Sequence, residues 1–268
     1  MLVVGTQVIQ PNWILREGNG PLVAVALHDG HDIRAELAPL LAVSESDRTR
    51  EEDPFTAMWT TVADTQIVVK RSRFEFDLNR PREQAVYLSL EDSWGLSVWH
   101  TLPSEEIVAR SLAEYDAFYA TVQRVFTDLE QRFGRFVVFD LHTYNHRREG
   151  LEALPADPDY NPEINLGTGS LNRELWGSVV ERFVSDLRSF DFLGRQLDVR
   201  ENIRFTGGHF SRWTHQMFPE SACVLAIEVK KFFMNEWSNE ADSTQLEAIH
   251  HALQSTVPGV LEVLKQVS

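Results

Sequence analysis

Arg135-Phe-Val-Val-Phe-Asp-Leu-His142 is the stretch whose reading decides the fold. A short, nearly continuous apolar run of this kind reads as a strand buried on both faces. Asp140 and His142 are two residues apart, so they leave such a strand on the same side. Two other runs share the design. Pro21-Leu-Val-Ala-Val-Ala-Leu27 ends in His28-Asp-Gly-His31, and Ala222-Cys-Val-Leu-Ala-Ile-Glu228-Val229 carries its single carboxylate near the end. Gln66–Val69 is a shorter apolar strand. Helical patterns separate these runs, which argues for an α/β fold with a mostly parallel sheet covered by helices on both faces. Ligands bind such sheets at the carboxyl ends of the strands. His28, His142 and Glu228 all lie at or near those ends.

The remaining pattern fills in the connections. Ile33–Leu41 has helix-like spacing, and the charged Ser44–Asp53 reads as an exposed loop. Phe74–Leu78 (FEFDL) alternates like a strand. Ser104 is the expected N-cap of a long helix, with Glu105 and Glu106 in its first turn and Gly134 as its stop. Thr143–Glu163 reads as a long polar loop, of the kind that often carries function. Ser170 is expected to cap a helix through Leu187, and Asn202–Trp213, with Gly207-Gly208, looks irregular. Thr244-Gln-Leu-Glu247 reads as a capping box for a terminal helix that Pro258 interrupts.

The bulk numbers bound the function. The 268 residues suit one domain over 1–268, with no linker-like composition shift. A net charge of -15 argues against nucleic acid, and it means that an anionic ligand needs local arginines. The single Cys223 sits in an apolar run and reads as a core thiol. MLVVGTQVIQ lacks a signal-peptide pattern, and no run approaches a membrane span. A reducing, cytoplasmic setting without membrane partners is expected.

Two histidines at two strand ends, beside one polar loop, point to a metal. Asp140 can orient the His142 imidazole. A catalytic zinc takes three protein ligands and leaves a position for water. Asp53, Glu52 and His31 all compete for the third place. Arg73 and Arg80 flank the alternating FEFDL segment, and Asn79-Arg80 closes it. A guanidinium fork matches a carboxylate, although pairing with Asp77 or Glu75 would also explain these arginines. Gly207-Gly208-His209 with Arg212 reads as a substrate loop. Glu228 is costly in an apolar strand unless paired, so it is either a general base or the partner of Lys230, Lys231 or an arginine. His100, His146, His215, His250 and His251 read as surface or packing residues. The absence of a second-metal cluster disfavours a phosphoesterase.

Assembled in this order, the residues resemble the N-formylglutamate amidohydrolase family over nearly the whole chain. His28-Asp-Gly30, Asp53, Ser72-Arg-Phe74, Asp77-Leu-Asn-Arg80, Asp140-Leu-His142, Gly207-Gly208 with Arg212, and Glu228 carry the likeness. That family is similar in turn to zinc carboxypeptidases and aspartoacylases, in which a glutamate stands where this chain has His31. The Thr-Tyr-Asn-His-Arg-Arg loop after Leu141-His142 departs from the family's short Ser-containing turn, which leaves room for altered substrate choice. The resemblance implies a three-layer sandwich whose central sheet is mixed but mostly parallel. It also implies zinc or another divalent metal on His28, Asp53 and His142. Asn79 and Arg80, with Arg73 or Arg212, then hold a substrate carboxylate, and Glu228 is the base. The implied reaction is amide hydrolysis of a small N-acyl amino acid, N-formyl-L-glutamate leading. The alternatives are another N-acyl amino acid or small peptide as substrate, or a non-catalytic carboxylate-binding relative.

Overall fold

The computed structural model describes the backbone of residues 7–9 and residues 12–267; the rest of the N-terminal stretch read above lies outside the described residues. The strands are β1 (Gln7–Ile9), β2 (Trp13–Arg16), β3 (Leu22–Ala26), β4 (Thr65–Val69), β5 (Phe136–Tyr144), β6 (Ile164–Gly167), β7 (Val199–Glu201) and β8 (Ala222–Lys230). They form one mixed sheet in the order β1-β2-β4-β3-β5-β8-β6-β7. The centre, β4-β3-β5-β8, is parallel, as the apolar runs require. β2 joins β4 antiparallel at one side, and β6 joins β8 antiparallel at the other.

The helices are α1 (Glu45–Glu51), α2 (Thr56–Trp59), α3 (Glu105–Phe133), α4 (Arg173–Ser189), α5 (His209–Met217) and α6 (Ser243–Leu264). The pleat divides the core in two. Val137, Phe139 and Leu141 of β5 pack with Cys223, Leu225 and Ile227 of β8 under α4 and α6. Phe136 and Val138, with Ala222 and Val224, pack under Phe118, Val122 and Phe126 of α3 and Phe210 of α5. Each buried aromatic contributes about 1.5–3 kcal/mol. Helices on both faces make the expected three layers. Asp140, His142 and Glu228 continue the α3/α5 face beyond the apolar part of their strands. No helix among the described residues is long and apolar enough to cross a membrane.

Several local expectations change. Ser44–Asp53 is no loop: Ser44 caps α1 by accepting from the Asp47 N–H, and Glu45 and Asp47 suit its first turn. Ile33–Leu41 forms turns and a short 3-10 helix at Ala38–Leu40, because Pro39 withholds the amide that a longer helix needs. Phe74–Leu78 forms no strand. Both sides of β4 are already paired, and local turns use the segment's amides, as in Glu75 N–H to Ser72 O at 3.0 Å. The alternation instead sends Phe74, Phe76 and Leu78 into the core and Glu75 and Asp77 into buried ionic networks. Asn172, not Ser170, caps α4; Ser170 Oγ lies 2.9 Å from His215 Nδ1. Residues 209–213, read as irregular, open α5. Asp242, not Thr244, caps α6 by accepting from the Thr244 and Gln245 N–H groups, so Thr244 lies inside the helix and the expected capping box does not open it. Pro258 does not interrupt α6, since packing of Ile249, Leu253 and Val260 offsets the roughly 3 kcal/mol that an interior proline costs.

Candidate metal-centred active site

The sheet brings the polar strand-end residues together. β5 and β8 run in parallel register, so His142 stands directly beside Glu228, and β6 extends the row with Asn165 opposite Glu228. His28 follows β3, the neighbour of β5 on the other side. The chain turns sharply after it: a Cβ on Gly30 would collide with the Lys70 backbone, which explains glycine there. Asp53 arrives from the end of α1, and its N–H donates to the His28 carbonyl at 2.8 Å.

Asp53 Oδ2 lies 3.3 Å from His28 Nδ1 and 3.1 Å from His142 Nδ1. Thr143 Oγ1 donates to the other oxygen at 2.9 Å. The three side chains are buried, and one donor atom from each falls within 4.8 Å of the others. Two imidazole nitrogens and one carboxylate oxygen make a donor set that fits a zinc-type ion. The outward nitrogens are anchored too: His28 Nε2 lies 2.8 Å from Asp77 Oδ1, and His142 Nε2 lies 2.9 Å from Asp140 Oδ1. Such carboxylate–imidazole pairs fix the ring orientation and make the free nitrogen a better ligand.

The rivals for the third position pair with each other. His31 Nδ1 lies 2.6 Å from Glu52 Oε2, and Glu52 also accepts from Ser72. Burial alone would raise Asp53, but hydrogen bonds from His142 and His28 hold its carboxyl well below the usual range. Burial opposes charge on His142, yet Asp140 and Asp53 drive its pKa well upward. The cluster thus has a place for positive charge, which protons fill or a dication can take over.

Glu228 is the contrasting acid. It is half-buried, and burial pushes its carboxyl up to about 7. Neither neighbouring lysine neutralises it. Lys231 Nζ donates to the carbonyls of Arg50 and Glu52, tying down the approach to Asp53, and Lys230 Nζ donates to those of Ala156 and Asn161. A carboxyl that titrates near neutrality beside a metal-type cluster has the protonation chemistry of a general base.

His28, Asp53, His142 and Glu228 line one cleft of about 750 Å³ with Arg73, Asn79 and Arg80. Arg73 pairs with Asp77 at 2.7 Å, but inside the protein rather than on its surface. Arg80 has no carboxylate partner among the described residues. Its guanidinium lies 5.9 Å from the ring centres of Tyr87 and Trp94 and donates to the Asp92 carbonyl at 3.3 Å. Asn79 Oδ1 accepts from the Phe210 N–H at 3.0 Å, and its side chain occupies the space that a Cβ on Gly208 would need. Arg212 is not brought in: it is exposed, donates to the Gly207 carbonyl at 3.1 Å, and does not line the cleft.

Residues 20–234, which contain this whole constellation, match the N-formylglutamate amidohydrolase family. The chain belongs to that family. Its fold is similar to that of an N-formylglutamate amidohydrolase from Ralstonia eutropha JMP134, with 18% identity and a TM-score of 0.72 over 95% of this chain and 98% of the other. A gene product from Agrobacterium tumefaciens gives 18% identity and a TM-score of 0.66 over 95% and 96%. Among curated proteins, none matches the sequence.

Several residues at this amidohydrolase-family site were not assigned from sequence. In the sequence Asp77 reads only as a pairing partner for arginine, although it stands inside the Asp77-Leu-Asn-Arg80 motif. Thr143, Lys231, Arg148, Arg204 and Trp94 also line the cleft. Thr143, directly after His142, and Arg148, in the loop that departs from the family's short turn, carry a signal in the sequence, whereas Lys231, Arg204 and Trp94 carry none.

Proposed function

We propose that the chain is a zinc-dependent hydrolase of N-acyl amino acids, working as a single catalytic domain, with N-formyl-L-glutamate the leading substrate. The observation that carries this reading is the convergence of His28 Nδ1 and His142 Nδ1 on Asp53 Oδ2, with Glu228 in register beside His142. Family membership supports the amide as the bond cleaved.

His28, Asp53 and His142 hold the metal, with Asp77 and Asp140 keeping the two imidazoles aimed inward. When bound there, a divalent cation acidifies water and polarises the scissile carbonyl. Glu228 accepts a proton from the attacking water and returns it to the departing amine nitrogen, which suits a carboxyl near neutrality. Arg80 and Asn79 hold the substrate carboxylate, so that the amide faces Glu228. Arg73, fixed by Asp77, adds positive charge on the same wall. The cleft volume also supports a second reading within the class, a small peptide, because about 300–1,000 Å³ accommodates ligands larger than a formyl amino acid.

The test is hydrolysis of N-formyl-L-glutamate by protein stripped with chelator and then reloaded with zinc. The expected result is activity that disappears and returns. A His28→Ala/His142→Ala protein that keeps full metal content contradicts the proposed site.

A further inference from the structure

Arg80 is oriented without being neutralised. Its side chain meets a neutral carbonyl, that of Asp92, and the rings of Tyr87 and Trp94. Arg73, whose charge Asp77 already balances, lies against the same indole, with its guanidinium 4.8 Å from the ring centre. The two rings differ in place. Tyr87 is buried and meets Trp94 edge to face at 5.8 Å, whereas Trp94 is 51% exposed and lines the cleft. Tyr87 is thus the inner wall of the two guanidiniums, and Trp94 is their cover on the solvent side.

Trp94 keeps this place in an unfavourable backbone conformation. Its φ is +54°, in the left-handed region that bulky side chains rarely adopt, and Gly95 follows at +90°. The surrounding turn holds the strain. Asp92 Oδ2 accepts from the N–H groups of Leu88 and Ser89 at 3.1 and 2.9 Å, and from Ser89 Oγ at 2.9 Å. The Gly95 N–H donates to the Leu90 carbonyl at 2.8 Å, and Ser93 Oγ donates to the Leu96 carbonyl at 2.8 Å. Core packing gives no reason to hold a half-exposed indole in this way. Strain that is kept by its surroundings concentrates where a side chain has to stand against a ligand.

What such a cover does follows from electrostatics. A carboxylate on a guanidinium open to water is screened and gains little, whereas the same contact with water excluded is stronger and less sensitive to salt. An indole face attracts a guanidinium but accepts no hydrogen bond in its plane. It therefore steadies Arg80 and leaves the N–H fork free for a carboxylate.

Resting on the reading that Arg80 anchors a substrate carboxylate, we propose that Trp94 is the specificity-determining residue of that anchor. Its ring shields the carboxylate–guanidinium contact from solvent, and the cleft thereby prefers a carboxylate over a carboxamide of the same shape.

The test uses levulinate, which is N-acetylglycine with its N–H replaced by a methylene, and its carboxamide, levulinamide. Neither has the scissile amide, so calorimetry on zinc-loaded protein reads binding without turnover. Wild-type protein is expected to prefer levulinate by about tenfold or more at both low and high salt. Trp94→Gly accepts the positive φ; it is expected to keep its zinc, to melt within about 4 °C of wild type and to reduce the preference to about threefold or less. What preference remains should weaken with salt, and Trp94→Phe should retain most of the wild-type value. Trp94→Asn also tolerates the left-handed region and decides the matter if the glycine variant folds poorly. A wild-type protein without preference overturns the proposal, as do folded, zinc-loaded Gly and Asn variants that keep it at both salts. A preference lost only together with zinc or melting temperature in both variants marks a structural role and overturns it too. Arg80→Ala separates the two readings. If it keeps the wild-type preference, the anchor reading fails and the proposal falls with it; if it loses the preference while the Trp94 variants keep it, only the proposal fails. If binding behaves as expected but N-formyl-L-glutamate is not hydrolysed, the hydrolase reading fails and the role of Trp94 stands.

Discussion

Glu228 and His142 are register partners on adjacent parallel strands, yet their carboxyl and imidazole are driven the same way for different reasons. Both pKa values shift upward. His142 is raised by Asp140 and Asp53 against the effect of burial, whereas Glu228 is raised by burial itself. One position is thereby prepared for positive charge, and its neighbour is prepared to exchange a proton.

The first prediction concerns pH and stability without metal. Glu228 has an ordinary value of 4.5 and a folded value of about 7. Below 4.5 it is neutral in both folded and unfolded protein and costs nothing. As pH rises towards 7 the unfolded chain ionises first, so the folded state loses stability, and above 7 the full cost remains. Glu228→Gln is therefore expected to stabilise metal-free protein at pH 8 by roughly 1–3 kcal/mol, with little effect at pH 4. Thermal unfolding of both proteins across this range checks the sign. A Gln variant that is less stable at pH 8 contradicts it.

The second concerns Asp140, which would act on a bound metal only through His142, whose Nε2 lies 2.9 Å from its carboxylate. Asp140→Asn keeps the size of the side chain but weakens its hold on the imidazole. Zinc affinity is expected to fall about 10- to 100-fold, as is usual for such outer partners. Competition with a coloured chelator reads this directly. An affinity within twofold of wild type means that Asp140 does not orient the ligand.

These assignments differ in how far they were legible in the sequence. His28, His142 and Glu228 stand out because polar groups at the ends of apolar strands need a reason. Parallel pairing could be anticipated from the same runs. The contact of His28 with Asp77 could not, because it joins residues 49 positions apart through a segment whose alternation imitates a strand. Charge concealed α1: its residues look like a solvated loop until the Ser44 cap is recognised. Arg148 and Arg204 lie in irregular loops, where no periodicity links one residue to another. Their loops are held by Glu236 and Asn165, which are distant in sequence from the residues they hold.

The third prediction addresses Arg80. Losing a charge-assisted contact to the substrate carboxylate costs about 2–3 kcal/mol, so Arg80→Ala is expected to lower kcat/KM by roughly 30- to 150-fold. The loss should largely vanish when the carboxylate is replaced by an amide. Kinetics on matched N-formyl amino acids and their amides are the check. Equal losses on both would show that Arg80 does not read that group.

Glu228→Gln in the zinc-loaded protein separates a general base from a structural carboxylate, with metal content, melting temperature and turnover of N-formyl-L-glutamate measured on one preparation. Glutamine preserves the shape of the side chain but cannot accept the proton from water. If Glu228 is the base, the variant keeps full zinc occupancy, stays folded and turns over substrate about a hundredfold or more slowly. A folded, metal-loaded variant that turns over the substrate at near wild-type rate would contradict it.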